Sequence, residues 1–253
     1  MSLADKVVLV VGVGGGLGSA VVSLLASEGA TVVGAARSGA ALDGLARHGR
    51  EKGWKLTAVA ADVGDQADVD RLVAQVLKEH GRLDAVSINV GHWHGGEGLL
   101  HKMSDEEWDA GLRGNLDPVF RVARASIRPM VERGGGSVVL VSAALAVRWA
   151  GSASYCAGKG GLADLVPKLA RDYRPWGIRV NAVLPGSMGH DVAFDPPSAD
   201  ERIPLTDQTT TSPWEVARAI RYLVSDESRW VTGTLVTVDG GASTWGETSA
   251  ASK

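Results

Sequence analysis

The 253-residue sequence contains a single cysteine, Cys156, which excludes a disulfide bond within the chain. We interpret Cys156 as a small buried residue rather than a reactive thiol. The chain is also poor in phenylalanine, with two, and carries no excess of positive charge, with a net charge of −3. Because binding to nucleic acid or anionic lipid depends on a basic surface, we expect neither among its partners.

Long uninterrupted hydrophobic runs are absent as well. The longest apolar stretch, VVLVVGVGGGLGSAVVSLLA, is broken by glycines and a serine, which is typical of a buried strand and helix rather than a membrane span. We therefore expect a cytoplasmic protein. No linker-like segment or repeat divides the sequence, so we predict one catalytic domain over residues 1–253 with a loose tail at 246–253.

Short runs rich in β-branched residues alternate with helical patterns along the whole chain. The strand candidates are KVVLVV, ATVVGA, KLTAVA, LDAVSIN, GSVVLVS, IRVNAVL and TLVTVDG. The helical segments fall near residues 16–28, 39–52, 65–79, 105–133, 153–174 and 213–225. Nearly continuous apolar strands are typical of a parallel sheet that is buried on both faces. We predict an α/β fold, doubly wound around a seven-stranded parallel sheet, with its ligand site at the carboxyl ends of the strands.

Local signals refine two helix starts and one loop. Ser104 with Glu107, and Ser212 with Glu215, have the spacing of capping boxes, and Pro213 follows Ser212 at a favourable first helical position. Residues 186–211 lack any periodicity, and a long irregular segment beside the expected site is a candidate substrate lid.

A glycine-rich turn follows the first strand directly, in VGVGGGLGSA. Gly12, Gly16 and Gly18 have G-x-x-x-G-x-G spacing, and Gly14 and Leu17 lie between them. Glycines at a strand-to-helix turn let the backbone approach a pyrophosphate, which the helix N-terminus then stabilises. This turn predicts a dinucleotide site.

The end of the second strand favours one nicotinamide cofactor over the other. An acidic residue there would bind the ribose hydroxyls and repel a 2′-phosphate, whereas a cation would accept the phosphate. Here Ala36 occupies the acidic position and Arg37 follows it. We expect NADP(H) rather than NAD(H), with Arg37 as the partner of the 2′-phosphate.

Tyr155 and Lys159 lie four positions apart in SASYCAGKGG, so they share a face if this segment is helical. A cation one turn away favours the phenolate and should lower the pKa of the tyrosine. Such a pair can donate and accept a proton, although an isolated Y-x-x-x-K is more often a surface tyrosine that packs on a lysine.

With the glycine turn, this pair and the strand pattern, the chain resembles the short-chain dehydrogenase/reductase family over residues 5–241. Ser142 precedes Tyr155 by the family's usual 13 residues. The other matching segments are DV at Asp62 and Val63, INVG at Ile88 to Gly91, GNL at Gly114 to Leu116, IRVNAVLPG at Ile178 to Gly186, and VTGTLVTVDGG at Val231 to Gly241.

The resemblance implies a Rossmann fold, a homotetramer or homodimer, and a reaction in which hydride passes between the nicotinamide and a carbonyl or secondary alcohol. It implies that Tyr155 is the general acid and base and that Ser142 hydrogen-bonds the reacting oxygen. Lys159 would hold the nicotinamide ribose, and Asn115 would anchor a water that connects Lys159 to solvent. The implied cofactor contacts also include Asp62, Val63, Asn89, Gly91, Pro185, Gly186 and His190.

Two departures from the family pattern affect these expectations. His190 stands where many relatives have a threonine against the nicotinamide carboxamide, so an imidazole would replace that contact or point into the pocket. Pro167 lies inside the helix that carries Tyr155, where it removes a bond to the carbonyl of Ala163 and should kink the helix. That helix packs on a partner subunit in relatives, so the dimer contact should differ here.

The loops expected around the substrate are rich in aromatic residues and histidine. The candidate lining residues are His92, Trp93, His94, Trp149, Met188 and Phe194. We predict no metal site, because the H-x-H pair of His92 and His94 has no defined third ligand. An aromatic pocket with little charge favours a ring-bearing or medium-chain carbonyl compound.

Three functions are compatible with these residues. The first is an NADP(H)-dependent carbonyl reductase, and the second is an NAD-linked secondary alcohol or polyol dehydrogenase, which comparative cofactor binding would separate from it. The third is a regulatory protein that binds NADP(H) without turnover, but such a protein would be expected to lack Tyr155 or Lys159.

Overall fold

The computed structural model describes residues 3–37, 39–93, 99–189, 192–198 and 210–244. The strands are β1 Val7–Val11, β2 Thr31–Ala36, β3 Leu56–Ala60, β4 Ala85–Ile88, β5 Gly136–Val141, β6 Ile178–Pro185 and β7 Leu235–Val238. The helices are α1 Gly16–Ser27, α2 Ala40–Glu51, α3 Gln66–His80, α4 Asp105–Asn115, α5 Asp117–Arg133, α6 Leu145–Ala150, α7 Ala153–Tyr173 and α8 Pro213–Val224.

All seven strands form one parallel sheet in the order β3-β2-β1-β4-β5-β6-β7. The chain therefore begins in the middle of the sheet, moves outward to β3, and returns to place β4 beside β1. The predicted doubly wound parallel fold is confirmed. Its strand order reverses between β1 and β4, which is where this architecture opens a crevice for ligands.

The sheet is buried between two helical layers. Apolar side chains of α3, α5 and α7 pack on one face, and those of α1, α2 and α8 pack on the other. In α8 one apolar stripe is buried and consists of Val216, Ala217, Ile220, Leu223 and Val224. The two edge strands differ from the prediction that all strands are buried on both faces. Both β3 and β7 expose alternate residues, because each lacks a neighbouring strand on one side.

The helix predicted over 105–133 is two helices that meet at Leu116. Pro118 has no N–H, so the carbonyl of Gly114 cannot receive its helical hydrogen bond. The side chain of Asn115 also donates to the carbonyl of Gly111 at 3.0 Å. These two features interrupt the helical ladder next to Asn115, which is one of the predicted site residues.

The capping signals have different outcomes. Ser104 and Glu107 form the predicted capping box of α4. Ser212 does cap α8, but its hydroxyl accepts from the Trp214 N–H, and the Glu215 carboxylate pairs instead with Arg218 at 2.7 Å. The prediction of a second capping box is wrong, because the nearby guanidinium competes for that carboxylate.

Two helices differ from the sequence-based expectations. The short helix α6 has too few residues for a periodic pattern, and the sequence did not predict it. Helix α7 contains Pro167, where we expected a kink, and is one continuous helix from Ala153 to Tyr173. Among the described residues, no helix is both long and apolar enough to cross a membrane. The predicted loose tail at 246–253 lies outside the described residues.

Candidate active site

The crevice at the strand reversal is closed tightly at its base by two backbone segments. Gly12 follows β1 and Asn89 follows β4, and a Cβ built on Gly12 would lie 2.6 Å from the Asn89 carbonyl oxygen. Gly12 also has a φ of +91°, which side chains rarely adopt. Only glycine therefore fits this position.

Two other glycines of the turn, Gly14 and Gly18, have different surroundings. A Cβ on Gly18 would overlap the carbonyl of Gly12, so Gly18 lets α1 lie against the turn. Gly14 has no atom within 4 Å of its Cβ position. The main chain at Gly14 thus borders an open groove beside the N-terminus of α1, as a bound pyrophosphate requires.

A cavity of about 490 Å³ extends from this turn along the carboxyl ends of β4, β5 and β6. Most of the predicted cofactor and catalytic positions line it, namely Gly12, Gly14, Leu17, Gly18, Asn89, Gly91, Ser142, Tyr155, Lys159, Pro185 and Gly186. The volume lies in the range of small-molecule sites. We call this space the cofactor cavity.

Lys159 lies at the floor of the cofactor cavity and is 4% exposed. Its ammonium donates to the main-chain carbonyls of Val90 at 3.0 Å and Val141 at 3.1 Å. Among described residues these are its two acceptors, so one of its three N–H groups remains for a ligand oxygen. Burial lowers the pKa of Lys159 to about 8.

Gly91 allows this approach. A Cβ on Gly91 would lie 2.5 Å from the Lys159 nitrogen and 3.2 Å from the side-chain oxygen of Asn115. A larger residue would therefore displace the ammonium from the cavity floor.

Tyr155 lies one turn before Lys159 on α7 and is 6% exposed. Its ring contacts Trp93 edge to face, with 4.8 Å between ring centroids, in a gap that a Cβ on Gly151 would fill. Burial raises the pKa of Tyr155 to about 12. This direction is opposite to the lowered pKa that the spacing predicted, because burial removes the hydration that a phenolate requires.

Ser142 lines the cofactor cavity, whereas Asn115 does not. The Ser142 hydroxyl donates to the Lys159 carbonyl at 2.6 Å, so it must turn away from α7 to reach a substrate oxygen. The Asn115 amide is fully buried and exchanges two hydrogen bonds with the backbone of His92, at 2.9 and 3.1 Å. Asn115 thereby holds the segment after β4 in place.

The adenosine end of the predicted cofactor site lies at the ends of β2 and β3. Arg37 follows β2 and is exposed. Val63 is buried, and the Asp62 carboxylate accepts from the Gly64 N–H at 2.9 Å, which fixes the turn after β3. Arg37, Asp62 and Val63 do not line the cofactor cavity, which covers the opposite end of the crevice.

A second cavity of about 500 Å³ adjoins the cofactor cavity. The two share Trp93, Val147, Gly186 and Ser187 as a common wall. Most of its exposed surface is apolar and includes the small side chains of Ala144, Ala146, Ala150, Val238 and Ala242, while its polar lining residues are Thr210, Thr211, Ser212, Glu215 and Asp239. We call it the apolar cavity.

The predicted substrate residues are only partly brought together. Trp93 lines both cavities and Met188 lines the cofactor cavity. Trp149 instead points outward and is 71% exposed. Phe194 packs against Gly44 and His48 of α2, away from both cavities. His92 is exposed and contributes its backbone, whereas His94 and His190 lie outside the described residues.

Several lining residues of the apolar cavity were missed. Val147 and its small neighbours belong to the unpredicted helix α6, and Asp239 and Ala242 follow the last strand. The run AALAV after Ser142 was the available signal, because small residues after a strand leave space beside it. Thr211 forms an isolated β-bridge with Met188 and lies at the end of the predicted lid.

The residues fit a dinucleotide, since the groove at Gly14 is open, the turn exposes its backbone, and Lys159 keeps one donor free. The described residues contain no cluster of three or more metal-ligating side chains.

Comparisons with known proteins agree with this geometry. The family model described as enoyl-(acyl carrier protein) reductase matches residues 12–243. The chain is 34% identical to 3-oxoacyl-(acyl-carrier-protein) reductase FabG of Thermotoga maritima over 95% of this chain and 99% of that protein. It is 36% identical to cis-4-hydroxycyclohexanecarboxylate dehydrogenase of Sinomonas cyclohexanicum over 95% and 97% of the two chains.

Two solved structures share the fold over nearly their whole length. A short-chain dehydrogenase/reductase of Burkholderia xenovorans superposes with a TM-score of 0.84 at 30% identity, covering 97% of this chain and 99% of that one. A variant of actinorhodin polyketide ketoreductase with NADPH gives 0.81 at 28% identity, covering 97% and 100%. The chain belongs to the short-chain dehydrogenase/reductase family, and it is an oxidoreductase that acts on CH–OH and C=O groups.

Proposed function

We propose that this protein is an NADP(H)-dependent carbonyl reductase in which Tyr155 is the proton donor. The observation that carries the proposal is that Ser142, Tyr155 and Lys159 line one cavity with the glycine turn. A nicotinamide cofactor bound by the glycine turn and Lys159 would supply a hydride. The protein must then provide a proton, a fixed position for the carbonyl, and a site from which water is largely excluded.

Tyr155 is suited to give a proton rather than to take one. With a pKa raised to about 12, the phenol stays protonated throughout the neutral range. Among the described residues its hydroxyl has no hydrogen-bond partner, so it is available to a substrate oxygen. The edge of Trp93 holds the ring in position, which limits the orientations that the hydroxyl can adopt.

The neighbouring side chains assist this proton transfer. The Ser142 hydroxyl turns from the Lys159 carbonyl to donate to the reacting oxygen, where negative charge develops. Lys159 keeps most of its charge at pH 7 with a pKa of about 8, and this charge favours loss of the Tyr155 proton. Asn115 acts on the backbone of His92 and so positions the residue that follows it, Trp93.

The cofactor preference rests on Arg37. Its exposed guanidinium at the end of β2, next to the uncharged Ala36, is placed where a 2′-phosphate is read in this architecture. The related ketoreductase that carries NADPH supports the same choice. NADP(H) is therefore the proposed cofactor.

The apolar cavity is the proposed site for the non-reacting part of the substrate. Its common wall with the cofactor cavity would place a carbonyl beside Tyr155 and its carbon skeleton between Val147 and Val238. The names of the two relatives indicate a 3-oxoacyl thioester and a substituted cyclohexanol for those proteins. A compact cavity of about 500 Å³ favours the cyclic type here.

We further propose that the protein is a homotetramer or homodimer. Trp108 on α4 and Phe120 on α5 expose 37% and 52% of their surface, and large exposed aromatic side chains are enriched at subunit contacts.

The test is NADPH oxidation by the purified protein with a panel of cyclic ketones, 3-oxoacyl thioesters, sugars and quinones. Tyr155→Phe should lose roughly a hundredfold or more in turnover while it still binds NADPH. Tyr173→Phe, at the far end of the same helix, is the matched control and should keep full turnover. Near-normal turnover in Tyr155→Phe would refute the assignment of the proton donor.

A further inference from the structure

A third cavity, of about 470 Å³, lies at the amino ends of the strands, on the opposite side of the sheet from the cofactor cavity. It opens where β5 and β6 begin, at Gly136 and Ile178. Since β6 has eight residues and its last, Pro185, lines the cofactor cavity, the two cavities are about 20 Å apart. We call this space the basal cavity. Nothing in the proposed reaction uses it.

Positive charge dominates the lining of the basal cavity, although the whole chain has a net charge of −3. Two of its cations are neutralised, since Lys6 pairs with Asp226 at 2.6 Å and Arg133 pairs with Asp84. The three other lining cations are Arg174, Arg179 and Arg229. Within the described part of the chain, none of these three forms an ion pair, although the Asp226 carboxylate acts on Arg179 through space. The five lining cations outnumber the two lining carboxylates, Asp84 and Asp226, so the cavity carries net positive charge.

Arg179 is fixed in the wall with donors to spare. Its guanidinium donates to the carbonyls of Leu223, Ser225 and Val231 at 2.8 to 3.3 Å. Among the described residues, three of its five N–H groups are used in this way, so two remain for a ligand. Burial lowers the pKa of Arg179, so an anion beside it would replace hydration that the group has lost.

Three glycines and an aromatic ring line the opening of the basal cavity. Residues 134–136 are three consecutive glycines, so no side chain from this segment covers the opening. Trp230 lines the cavity and is 91% exposed, although an indole normally buries most of its surface. An exposed indole beside arginines is a suitable platform for a flat aromatic ring.

We propose that the basal cavity binds a small organic anion that carries both a phosphate group and a flat aromatic ring, as a mononucleotide does. Arg174, Arg179 and Arg229 hold the phosphate, and Trp230 stacks on the ring. The volume of about 470 Å³ accommodates a molecule of this size. This site is independent of the proposed carbonyl reduction.

The experiment is isothermal titration calorimetry of the full chain with AMP, adenosine and ribose 5-phosphate. The protein is first saturated with NADP⁺, so that AMP cannot enter the cofactor crevice. AMP should bind at one site per chain, and each of the two fragments should bind at least about tenfold more weakly, since each lacks one of the two contacts. Absence of heat at millimolar AMP would overturn the proposal.

Substitutions locate the site. Arg174→Ala with Arg229→Ala should weaken AMP binding by at least about tenfold, because it removes two charge-assisted contacts. Arg50→Ala with Arg128→Ala changes the net charge equally at two exposed arginines outside the cavity, and should leave AMP affinity unchanged. If both double variants behave alike, AMP does not bind at the basal cavity.

Trp230 has its own test. Trp230→Ala should weaken AMP binding but not ribose 5-phosphate binding, because only AMP carries the ring. Equal loss for both ligands would contradict stacking. NADPH turnover in all these variants should match the wild type, and titrations without NADP⁺ keep the test valid if the protein does not bind that cofactor.

Discussion

The cofactor cavity and the basal cavity have nearly equal volumes, about 490 and 470 Å³, yet they are built differently. They lie at opposite ends of the strands of one sheet, which we call the carboxyl edge and the amino edge. The carboxyl edge offers main chain from a glycine turn, with Lys159 as its buried cation. The amino edge offers arginine side chains around an exposed indole. The same sheet thus presents mainly backbone at the carboxyl ends of its strands and charged side chains at the amino ends.

The difference teaches how each edge obtains its chemistry. At the carboxyl edge the groups are buried, so their proton affinities change: the pKa of Tyr155 rises to about 12 and that of Lys159 falls to about 8. Shifted groups of this kind are suited to moving protons. At the amino edge the guanidinium groups stay charged at every physiological pH, which is suited to binding alone.

The largest expected effect comes from closing the carboxyl edge without unfolding it. Gly14 has open space at its Cβ position and is not among the glycines with positive φ, so Gly14→Val should fold with an unchanged free energy of unfolding. The new side chain would fill the groove and weaken binding of both nicotinamide cofactors by about tenfold to a hundredfold. Calorimetric titration and thermal unfolding measure the two quantities.

Gly12→Ala is the contrasting variant. Its Cβ would lie 2.6 Å from the Asn89 carbonyl at a φ of +91°, so the free energy of unfolding itself should fall, by about 1–3 kcal/mol.

Gly14→Val also tests whether the two cavities are independent. AMP binding at the basal cavity should be normal in this variant. Loss of both nicotinamide cofactor binding and AMP binding in Gly14→Val would contradict the independence of the two cavities.

A smaller effect is expected at Arg37. Arg37→Asp replaces a charge-assisted hydrogen bond to the 2′-phosphate with repulsion, so NADPH affinity should fall by about tenfold or more while NADH affinity changes little. Arg50→Asp makes the same change in charge at an exposed residue of α2 and should leave both affinities unaltered. Equal loss of NADPH and NADH in Arg37→Asp would refute the NADP(H) preference.

The last prediction is a dependence on pH that distinguishes the two cavities and is small near neutral pH. Lys159 is charged below its pKa of about 8 and loses its proton as the pH rises through that value. The kcat/KM for carbonyl reduction should therefore decline above about pH 8, by up to tenfold per pH unit. AMP binding at the arginines should stay level over the same range. A kcat/KM that holds up to the ordinary lysine pKa of 10.5 would contradict the lowered pKa of Lys159.

Most of the fold follows from local patterns. All seven strands and the predicted helix ends outside the 105–133 segment agree with the structure to within two residues, because buried strands and amphipathic helices have distinct periods. The break at Leu116 depends on Pro118 and on the Asn115 side chain, which interrupt a pattern that periodicity reads as continuous. Helix α6, with six residues, is too short to show a period.

The residues of the candidate site also divide into those that local sequence spacing predicts and those that it does not. Tyr155 and Lys159 were predictable as a pair because one helix fixes their separation, whereas Ser142 was found only through the family's usual separation of 13 residues before the tyrosine. Phe194 was not predictable, because a loop side chain is placed by contacts distant in sequence, such as that of Phe194 with His48. Trp149 was not predictable, because it lies on α6, which is too short for its outward face to be read from a period. The pKa of Tyr155 also depends on how deeply the fold buries it, which residue spacing alone does not determine.

The most direct test of carbonyl reduction follows the hydride itself. The protein would be incubated with NADPH that carries deuterium at both C4 positions of the nicotinamide, together with the best carbonyl substrate from the panel, and the product analysed by mass spectrometry. We predict one deuterium on the carbinol carbon of the product, and only residual product with Tyr155→Phe. An alcohol product without deuterium, or NADPH oxidation without any alcohol, would contradict the account.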